Sequence, residues 1–316
     1  MAGRRVPPAG ARIVVITGAS SGIARATALA FAHRGDSVIL CARNVAELEE
    51  VARECLALGA EAVAVPGDMA DVAVAATVRR AAIDRFGRID VWVNAAAVLS
   101  LGRFVDISPE TVRRVIETNV LGYANGAREA LRQFAEQGQR GTLISLCSLL
   151  GVFGEPYVGP YVASKFAIRG LNTCLRQEAR RAGKVEVCLV LPPAIDTGIY
   201  LKAGNVMGLR ARSIAPVYGP ERVARAIVSA ADRPRREIVV GAFGKLLWWA
   251  ERLAPVLLER AIGRFAPSLQ FEDTVAAPSE GNLFAPSAPY TITGGWRAYW
   301  LTRVRALLPR WQRARP

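Results

Sequence analysis

Between Arg12 and Gly241, short runs rich in β-branched residues alternate with longer segments of helical periodicity. This alternation is typical of βαβ units, in which the strands are parallel and helices cover both faces of the sheet. We therefore expect an α/β fold with a doubly wound, seven-stranded parallel sheet and helices on both faces. The predicted strands are residues 12–17, 37–42, 62–67, 89–94, 141–146, 185–191 and 237–241.

The residues beyond Gly241 lack this alternation. Two segments of the remainder, 245–265 and 296–316, have apolar residues at helical spacing, and a Pro- and Gly-rich stretch connects them. We expect an N-terminal arm at 1–11, a main domain at 12–244 and a helical C-terminal extension at 245–316. The apolar positions are Leu246, Trp249, Leu253, Leu257 and Ala261 in the first segment and Trp296, Trp300, Val304, Leu307 and Trp311 in the second.

The basic character of the chain does not by itself indicate a nucleic-acid partner. The formal net charge is +14, but only four of the 41 basic residues are lysine, and the arginines are scattered over most of the length. No recognised nucleic-acid-binding motif accompanies the charge. We therefore expect no nucleic-acid partner.

Cysteine and histidine usage excludes several kinds of site. The five cysteines form no C-x-x-C pair, which indicates neither a disulfide framework nor a zinc site. His33 is the single histidine, so a Ser-His-Asp relay is excluded. The chain has no run of about 20 apolar residues that could span a bilayer, and its start lacks the separate apolar region of a secretion signal. We expect a cytoplasmic setting and no metal ion.

A glycine-rich turn, TGASSGIA at 17–24, follows the first predicted strand and opens a helix. Gly18 permits a sharp turn and Gly22 lets the backbone approach a phosphate, while the helix N-terminus supplies free N–H groups. The turn therefore predicts a pyrophosphate site. A plain tight turn is the alternative, because a glycine-rich turn alone is a weak signal.

Tyr161 and Lys165, in YVASK, are four residues apart and share one face of a predicted helix. A neighbouring ammonium stabilises a phenolate, so Tyr161 is a candidate proton donor. Ser148 stands thirteen residues earlier, just beyond the fifth predicted strand, where its hydroxyl can polarise a carbonyl oxygen.

In this order the motifs resemble the short-chain dehydrogenase/reductase superfamily, over residues 10–244. The resemblance implies a Rossmann-type dinucleotide-binding and catalytic domain. It implies that Tyr161 is the general acid/base, that Lys165 lowers its pKa and binds the nicotinamide ribose, and that Ser148 orients the substrate oxygen. Asn119, in ETNVLGY, matches the asparagine that holds a proton-relay water. The alternatives are a capping role for Ser148 and a buried structural role for Asn119.

The resemblance also implies contacts with the rest of the cofactor. Asp68, in VPGD, matches the aspartate beside the adenine, and Asn94, in VNAAA, matches the asparagine that braces the sheet. Ile195 and Thr197, in PPAIDTG, match residues that contact the nicotinamide carboxamide. The chain departs from the family pattern where Ala24, Ala96 and Pro193 replace glycines.

The end of the second predicted strand indicates which cofactor is used. Enzymes that use NAD place an acidic residue there, which accepts a hydrogen bond from the ribose 2′-OH, whereas this chain has Cys41 followed by Arg43. We therefore predict NADP(H) over NAD(H), with a solvated cap as the alternative role of Arg43. The candidate cofactor contacts are Gly18, Ser20, Ser21, Gly22, Ile23, Arg43, Asp68, Met69, Asn94, Tyr161, Lys165, Pro192, Ile195 and Thr197.

Two classes of function remain open. The first is an NADPH-dependent oxidoreductase that interconverts a hydrophobic ketone or aldehyde and its alcohol, with the mainly apolar segment 198–216 near the substrate. Lys202, Arg210 and Arg212 in that segment are candidate partners of an anionic group on the substrate. The second class is a non-catalytic NADP-binding regulatory or membrane-associated protein.

Two interpretations of the C-terminal extension compete. Its apolar residues can pack on this subunit or on a neighbour in a homodimer, with a tetramer as the alternative assembly, or they can contact an anionic membrane surface. We favour packing, because Pro255 and Pro309 interrupt the predicted helices.

Overall fold

The computed structural model describes residues 10–138 and 140–307. The strands are β1 (Ile13–Thr17), β2 (Ser37–Ala42), β3 (Ala62–Pro66), β4 (Val91–Asn94), β5 (Ser100–Leu101), β6 (Arg140–Leu146), β7 (Lys184–Leu191), β8 (Gly204–Asn205), β9 (Leu209–Ala211), β10 (Glu237–Val239) and β11 (Phe271–Val275). The helices are α1 (Gly22–Ala32), α2 (Val45–Ala57), α3 (Val72–Phe86), α4 (Pro109–Ile116), α5 (Gly122–Glu136), α6 (Gly159–Ala182), α7 (Pro220–Asp232), α8 (Ala242–Leu253), α9 (Pro255–Gln270) and α10 (Trp296–Leu307).

Seven of the strands form one parallel sheet, in the order β10-β7-β6-β4-β1-β2-β3. The chain builds the sheet outward in one direction from β1 to β3 and then in the other direction from β4, so the order reverses between β1 and β4. This topology is the doubly wound, Rossmann-type sheet, and the predicted fold class is confirmed. At this reversal the helices that follow β1 and β4 cover opposite faces of the sheet, and this topology places a crevice at the carboxyl ends of the two strands.

Two apolar layers hold the sheet, one on each face. Side chains alternate along a strand, so Val14 and Ile16 of β1 pack under α1, α2 and α7, while Ile13 and Val15 pack under α3, α5 and α6. All five residues of β1 are buried. Burial on both faces explains why the strands appear in the sequence as continuous apolar runs.

Two short strand pairs were not predicted, because they are too short to show a period of two. Strand β5 pairs in parallel with β8, and β9 pairs antiparallel with β11. The second pair joins the loop after β7 to a C-terminal strand. The C-terminal part of the chain is therefore fastened to the loop that lies over the carboxyl edge of the sheet.

The segment after β10 forms α8 and α9, which meet at Ala254, and Pro255 begins α9 as the sequence predicted. Leu247, Trp248, Leu258 and Ile262 pack on the main core. None of the helices within the described ranges combines the length and the apolarity needed to cross a bilayer.

Of the five apolar positions that the sequence aligned across this break, Ala261 lines a cavity at the carboxyl edge of the sheet, and the other four lie on the opposite face. Leu246, Trp249, Leu253 and Leu257, the apolar stripe, are 53–78 % exposed. Packing of this stripe on its own subunit is therefore not observed, because the break at Ala254 restarts the helical phase. In the second aligned set Trp296 is buried, whereas Trp311 and the side chains of Val304 and Leu307 lie outside the described residues.

Candidate active site

The carboxyl edge of the sheet carries a cavity of about 460 Å³. Its walls come from the loops that follow β1, β2, β3, β4, β6 and β7. The predicted site residues that line it are Gly18, Ser20, Ser21, Gly22, Ile23, Arg43, Asp68, Met69, Ser148, Tyr161, Lys165, Pro192, Ile195 and Thr197. Asn94 and Asn119 lie behind it, at a separate void of about 10 Å³.

The glycine-rich turn is held against the loop that follows β4. Gly18 has φ of 72°, and a Cβ on it would lie 2.8 Å from the Cα of Ala96. The hydroxyl of Thr17 accepts hydrogen bonds from the backbone N–H groups of Ala95 and Ala96, at 3.0 and 3.3 Å. Only glycine fits at position 18, because a side chain would collide with backbone.

Two alanines that replace glycines of the family pattern pack against the apolar layers of the sheet. Ala24 is buried in the core layer beside β1, and Ala96 packs against the opposite layer. Gly22, the glycine at the helix entry, is retained with φ of 58°, and its ideal Cβ position faces Thr197. Ser21, the N-cap residue of α1, makes no side-chain cap hydrogen bond, so its hydroxyl is available to other partners.

Helix α6 presents Tyr161 and Lys165 one turn apart on the cavity wall. The Lys165 ammonium lies 5.2 Å from the centroid of the Tyr161 ring. It also donates a hydrogen bond to the backbone carbonyl of Leu146, at 3.2 Å. The Ser148 hydroxyl accepts from the backbone N–H of Leu150 at 3.1 Å, and it also shares a hydrogen bond with Tyr161. Ser148 thus combines its capping role with a direct contact to the phenol.

Burial decides the protonation of this pair. Burial raises the pKa of the Tyr161 phenol, and the hydrogen bond with Ser148 partly offsets that rise. Burial likewise lowers the pKa of the Lys165 ammonium. Both shifts arise because a charged form loses hydration in the interior. Tyr161 is therefore a neutral phenol near pH 7, which is the protonation state that a proton donor requires.

Asn119 lies in a π-helical turn, Glu117–Leu121, between α4 and α5. Its side chain accepts from the backbone N–H of Val98 at 2.8 Å, and its amide donates to the Val98 carbonyl and the Ser164 hydroxyl, each at 3.0 Å. Asn119 therefore braces the loop after β4 against α6, one residue before Lys165. The small void beside it also touches Leu146.

Asn94 performs a similar bracing role on the other side of the void. Its side-chain oxygen accepts from the indole N–H of Trp92 at 2.9 Å, and its amide donates to the Tyr123 carbonyl at 3.1 Å. These bonds tie β4 to α5. Asn94 is buried and does not line the large cavity, so its contribution is the position of the loop that follows it.

The edge predicted to face the adenine carries an ion pair that sequence reasoning missed. Arg114 of α4 forms an ion pair with Asp68. Burial by itself would raise the pKa of the Asp68 carboxyl, but the hydrogen bonds from Arg114 and from the Ala70 N–H hold it below its usual range. Asp68 is therefore a carboxylate whose charge is already partnered. No sequence motif links α4 with the loop after β3.

A C-terminal strap, residues 282–291, crosses the same edge of the cavity. Arg43 donates to the backbone carbonyls of Asn282 and Leu283, at 2.5 and 3.0 Å. The backbone N–H of Gly22 donates to the carbonyl of Thr291 at 3.1 Å. Two predicted phosphate-binding donors thus engage main-chain oxygens of the strap. The sequence shows only a Pro- and Gly-rich connection here, which carries no signal of such contacts.

Asp196 binds the residues that follow the strap, at the start of α10. Its carboxylate accepts from the backbone N–H groups of Gly294 and Trp296, at 3.0 and 2.8 Å. The indole N–H of Trp296 in turn donates to the Thr197 carbonyl at 2.9 Å. The loop after β7 therefore contacts the C-terminal segment directly beside the predicted cofactor residues Ile195 and Thr197.

The opposite end of the cavity is walled by apolar side chains. Helices α8 and α9 contribute eight of its fourteen apolar residues. The apolar residues at this end are Leu149, Leu150, Phe153, Val158, Ile199, Ile214, Phe243, Leu247, Leu258, Ala261, Ile262, Phe265, Ala266 and Leu269.

Glu155 introduces a carboxyl group into this apolar wall. Its oxygen accepts from the Gln270 amide of α9 at 2.8 Å. Burial raises the pKa of the Glu155 carboxyl to about 7. The carboxyl is therefore partly protonated at neutral pH, and when ionised it opposes ionisation of Tyr161 and Tyr200.

Comparison with known proteins gives consistent matches. Residues 12–205 match the family model for short chain dehydrogenase. The chain is 33 % identical over 271 residues to the uncharacterized oxidoreductase YxnA of Bacillus subtilis, covering 85 % of this chain and 76 % of that protein. It is 32 % identical over 259 residues to dehydrogenase/reductase SDR family member 7B of Bos taurus, covering 78 % and 79 %.

A solved structure also matches the fold. It is the alcohol dehydrogenase from the archaeon Thermococcus sibiricus complexed with 5-hydroxy-NADP. The TM-score is 0.64 at 26 % sequence identity, and the match covers 73 % of this chain and 97 % of that chain.

The raised pKa of Glu155 predicts a pH-dependent stability. The folded protein holds this proton up to about pH 7, whereas the unfolded chain releases it near the ordinary value of 4.5. The free energy of unfolding should therefore fall as pH rises from about 4.5 to 7, by roughly 1–3 kcal/mol. Glu155→Gln should remove that part of the decline. Urea unfolding of both proteins at several pH values measures it, and identical pH profiles would contradict the assignment.

Proposed function

The chain belongs to the short-chain dehydrogenase family, and we propose that it is an NADPH-dependent oxidoreductase that interconverts a hydrophobic ketone or aldehyde and its alcohol. Members of this family are oxidoreductases that bind a nicotinamide cofactor. The observation that carries the proposal is the buried Tyr161 phenol, in contact with Ser148 and one turn from Lys165, on the wall of a cavity of about 460 Å³.

The residues at the phosphate end of the cavity suit a nicotinamide dinucleotide. Gly18 and Gly22 form a cradle that a Cβ would narrow, and the first turn of α1 lines the cavity, where the N-terminus of a helix favours an anion. We propose that this turn holds the pyrophosphate, with Asp68 at the adenosine and Thr197 at the nicotinamide. The cofactor, when bound, supplies or accepts the hydride at the substrate carbon.

Side chains on α6 and in the loop after β6 transfer and position the proton of the substrate oxygen. Ser148 donates a hydrogen bond to the substrate oxygen, and Tyr161 transfers its proton to the same oxygen during reduction or receives it during oxidation. Lys165 supplies positive charge beside the phenol. The void of about 10 Å³ beside Asn119 and Leu146 is close to the size of one water. This supports the role of Asn119 in positioning a proton-relay water.

Charge at the end of β2 supports a preference for NADP(H). No carboxylate stands at Cys41, whose thiol stays neutral because burial raises its pKa to about 12. Arg43 lines the cavity two residues later, and its hydrogen bonds to described residues go to carbonyl oxygens of the strap. A 2′-phosphate would offer Arg43 a charged partner, which is a stronger acceptor than a carbonyl.

The wall formed with α8 and α9 supports a hydrophobic substrate. Leu258, Ile262 and Phe265 face the same cavity as Tyr161. Burial of apolar surface contributes about 25 cal/mol per Å², so an apolar group beside the reacting carbonyl gains affinity from this wall. Glu155 offers a single polar contact within it.

The alternative of a non-catalytic protein is not favoured. It rested on Ala24 and Ala96, which replace family glycines. Ala24 lies in the first turn of α1 at the cavity and packs in the core layer beside β1, and Ala96 leaves the glycine-rich turn intact. The proposed catalytic residues Asn119, Ser148, Tyr161 and Lys165 all match the family pattern.

We propose that the apolar stripe on α8 and α9 forms a homodimer. Four large apolar side chains exposed on adjoining helices exceed what a monomer usually presents to water. Strand β10, which precedes α8, is an edge strand of the sheet. A tetramer and an anionic membrane surface are the alternative assemblies. The free state of all five cysteines supports a reducing, cytoplasmic compartment.

Replacing the phenol tests the catalytic assignment. Tyr161→Phe should lower kcat on apolar ketones by at least about a hundredfold, because the proton donor is lost. NADPH affinity should stay within about threefold, since the ring remains. Tyr157→Phe is the matched control, because this ring packs on Phe271 outside the cavity. Full activity of the Tyr161 variant would refute the proposal.

Fluorescence titration tests the cofactor preference. The protein should bind NADPH more tightly than NADH, and Arg43→Gln should weaken NADPH binding by roughly tenfold while NADH binding changes little. Arg53→Gln is the control, because Arg53 of α2 is largely exposed and does not line the cavity. A dissociation constant for NADH at or below that for NADPH would overturn the preference.

The molar mass in solution tests the assembly. Light scattering should give the mass of two chains of 33.9 kDa, and Leu253→Glu should give one chain, because a charge in the stripe opposes its burial. Leu56→Glu is the control at an exposed position on α2. A tetramer, or a monomer that sediments with anionic liposomes, would contradict the dimer.

A further inference from the structure

Lys202 is a cation that the family motifs do not explain. It lies in the loop between β7 and β8, and the residue is 8 % exposed. Its ammonium donates a hydrogen bond to the hydroxyl of Ser21, at 2.8 Å. Ser21 belongs to the glycine-rich turn. A lysine from the substrate side of the cavity therefore reaches the phosphate side.

The charge of Lys202 lacks an ionic partner. Among the residues that the structure describes, no carboxylate lies within 4.0 Å of its ammonium. The Tyr290 ring of the strap covers it, with the centroid 5.2 Å away. Burial, and then repulsion from Arg43, lower the pKa of Lys202 to about 8, with Glu47 opposing the shift. A buried cation beside a second cation is unfavourable until an anion joins them.

The neutral contacts of Lys202 do not offset the cost of burying its charge near that of Arg43. One hydroxyl and one aromatic face offer far less than a charged acceptor. A purely structural role would be served as well by an uncharged side chain of similar length. Lys202 lines the cavity together with Ser21 and Arg43, and this shared opening is where an anion would meet both cations.

We propose that Lys202 is a ligand of the cofactor's 2′-phosphate, acting together with Arg43. The inference rests on the proposed use of NADPH. Arg43 follows β2, the strand whose end faces the adenosine ribose in this fold. Lys202 lines the same cavity, and its hydrogen bond to Ser21 orients it. A phosphate dianion between them would neutralise both charges and relieve their repulsion.

The assignment changes the role expected for this residue. The sequence suggested Lys202 as a partner for an anionic substrate, yet its ammonium contacts the glycine-rich turn and the strap. The other two cations predicted to bind an anionic substrate group also have other partners. Arg212 donates to the backbone carbonyls of Ser268 and Leu269, and Arg210 lies near Glu272.

Binding of NADPH, NADH and the fragment 2′,5′-ADP to Lys202→Met, by fluorescence or calorimetry, tests the inference. We expect the dissociation constants of NADPH and 2′,5′-ADP to rise at least about tenfold and that of NADH to change less than about twofold. Lys202→Arg should keep NADPH binding within about threefold of the unaltered protein. Lys184→Met is the matched control, an exposed lysine at the start of β7 on the opposite edge of the sheet.

The outcomes separate this inference from the proposed function. If the unaltered protein prefers NADPH and Lys202→Met leaves that preference intact, the role of Lys202 is wrong and the proposed function stands. An equal loss of NADPH and NADH affinity would indicate a general effect on the loop, and it would also overturn the assignment to the 2′-phosphate. If the unaltered protein shows no preference for NADPH, the proposed cofactor and this inference fail together. Thermal unfolding of each variant without cofactor identifies misfolding, in which case Lys202→Gln replaces Lys202→Met.

Discussion

The close contact between the turn after β1 and the loop after β4 is the constraint on which the site depends. A Cβ on Gly18 would collide with the Ala96 backbone, and the Thr17 hydroxyl fixes two amides of the facing loop. Because the turn is this sharp, α1 begins at the cavity, where its Gly22 N–H meets the Thr291 carbonyl of the strap. The strand order reverses between these same two strands, so the crevice and the N-terminus of α1 coincide.

Burial sets the protonation of Tyr161 and Lys165. Tyr161 and Lys165 share one face of α6, and both lie almost fully inside the protein. The same loss of hydration that keeps the phenol protonated also disfavours the ammonium. The Leu146 carbonyl, the Ser148 hydroxyl and the bracing amide of Asn119 hold these groups in place. The site is therefore organised mostly by backbone and neutral hydrogen bonds.

The C-terminal segment is an integral part of this site. Helices α8 and α9 supply apolar wall, the strap engages Arg43 and the Gly22 amide, and Asp196 anchors the start of α10. An extension placed in this way couples the two ends of the cavity, since the loop after β7 touches both. The segment after β10 therefore lines the same cavity as the glycine-rich turn and the Tyr161–Lys165 pair.

The sequence by itself determined the sheet, the strand ends to within two residues, and the residues that follow them. These depend on local periodicity, glycine conformation and the four-residue spacing of Tyr161 and Lys165, all of which are visible in a short window. Tertiary structure alone decided that Arg114 pairs with Asp68, that Lys202 reaches Ser21, and which face of α8 and α9 is buried. The two contacts join residues 46 and 181 positions apart, and the buried face of α8 and α9 follows from the helix break at Ala254. A local sequence pattern cannot specify a partner that only the packing of distant segments brings close.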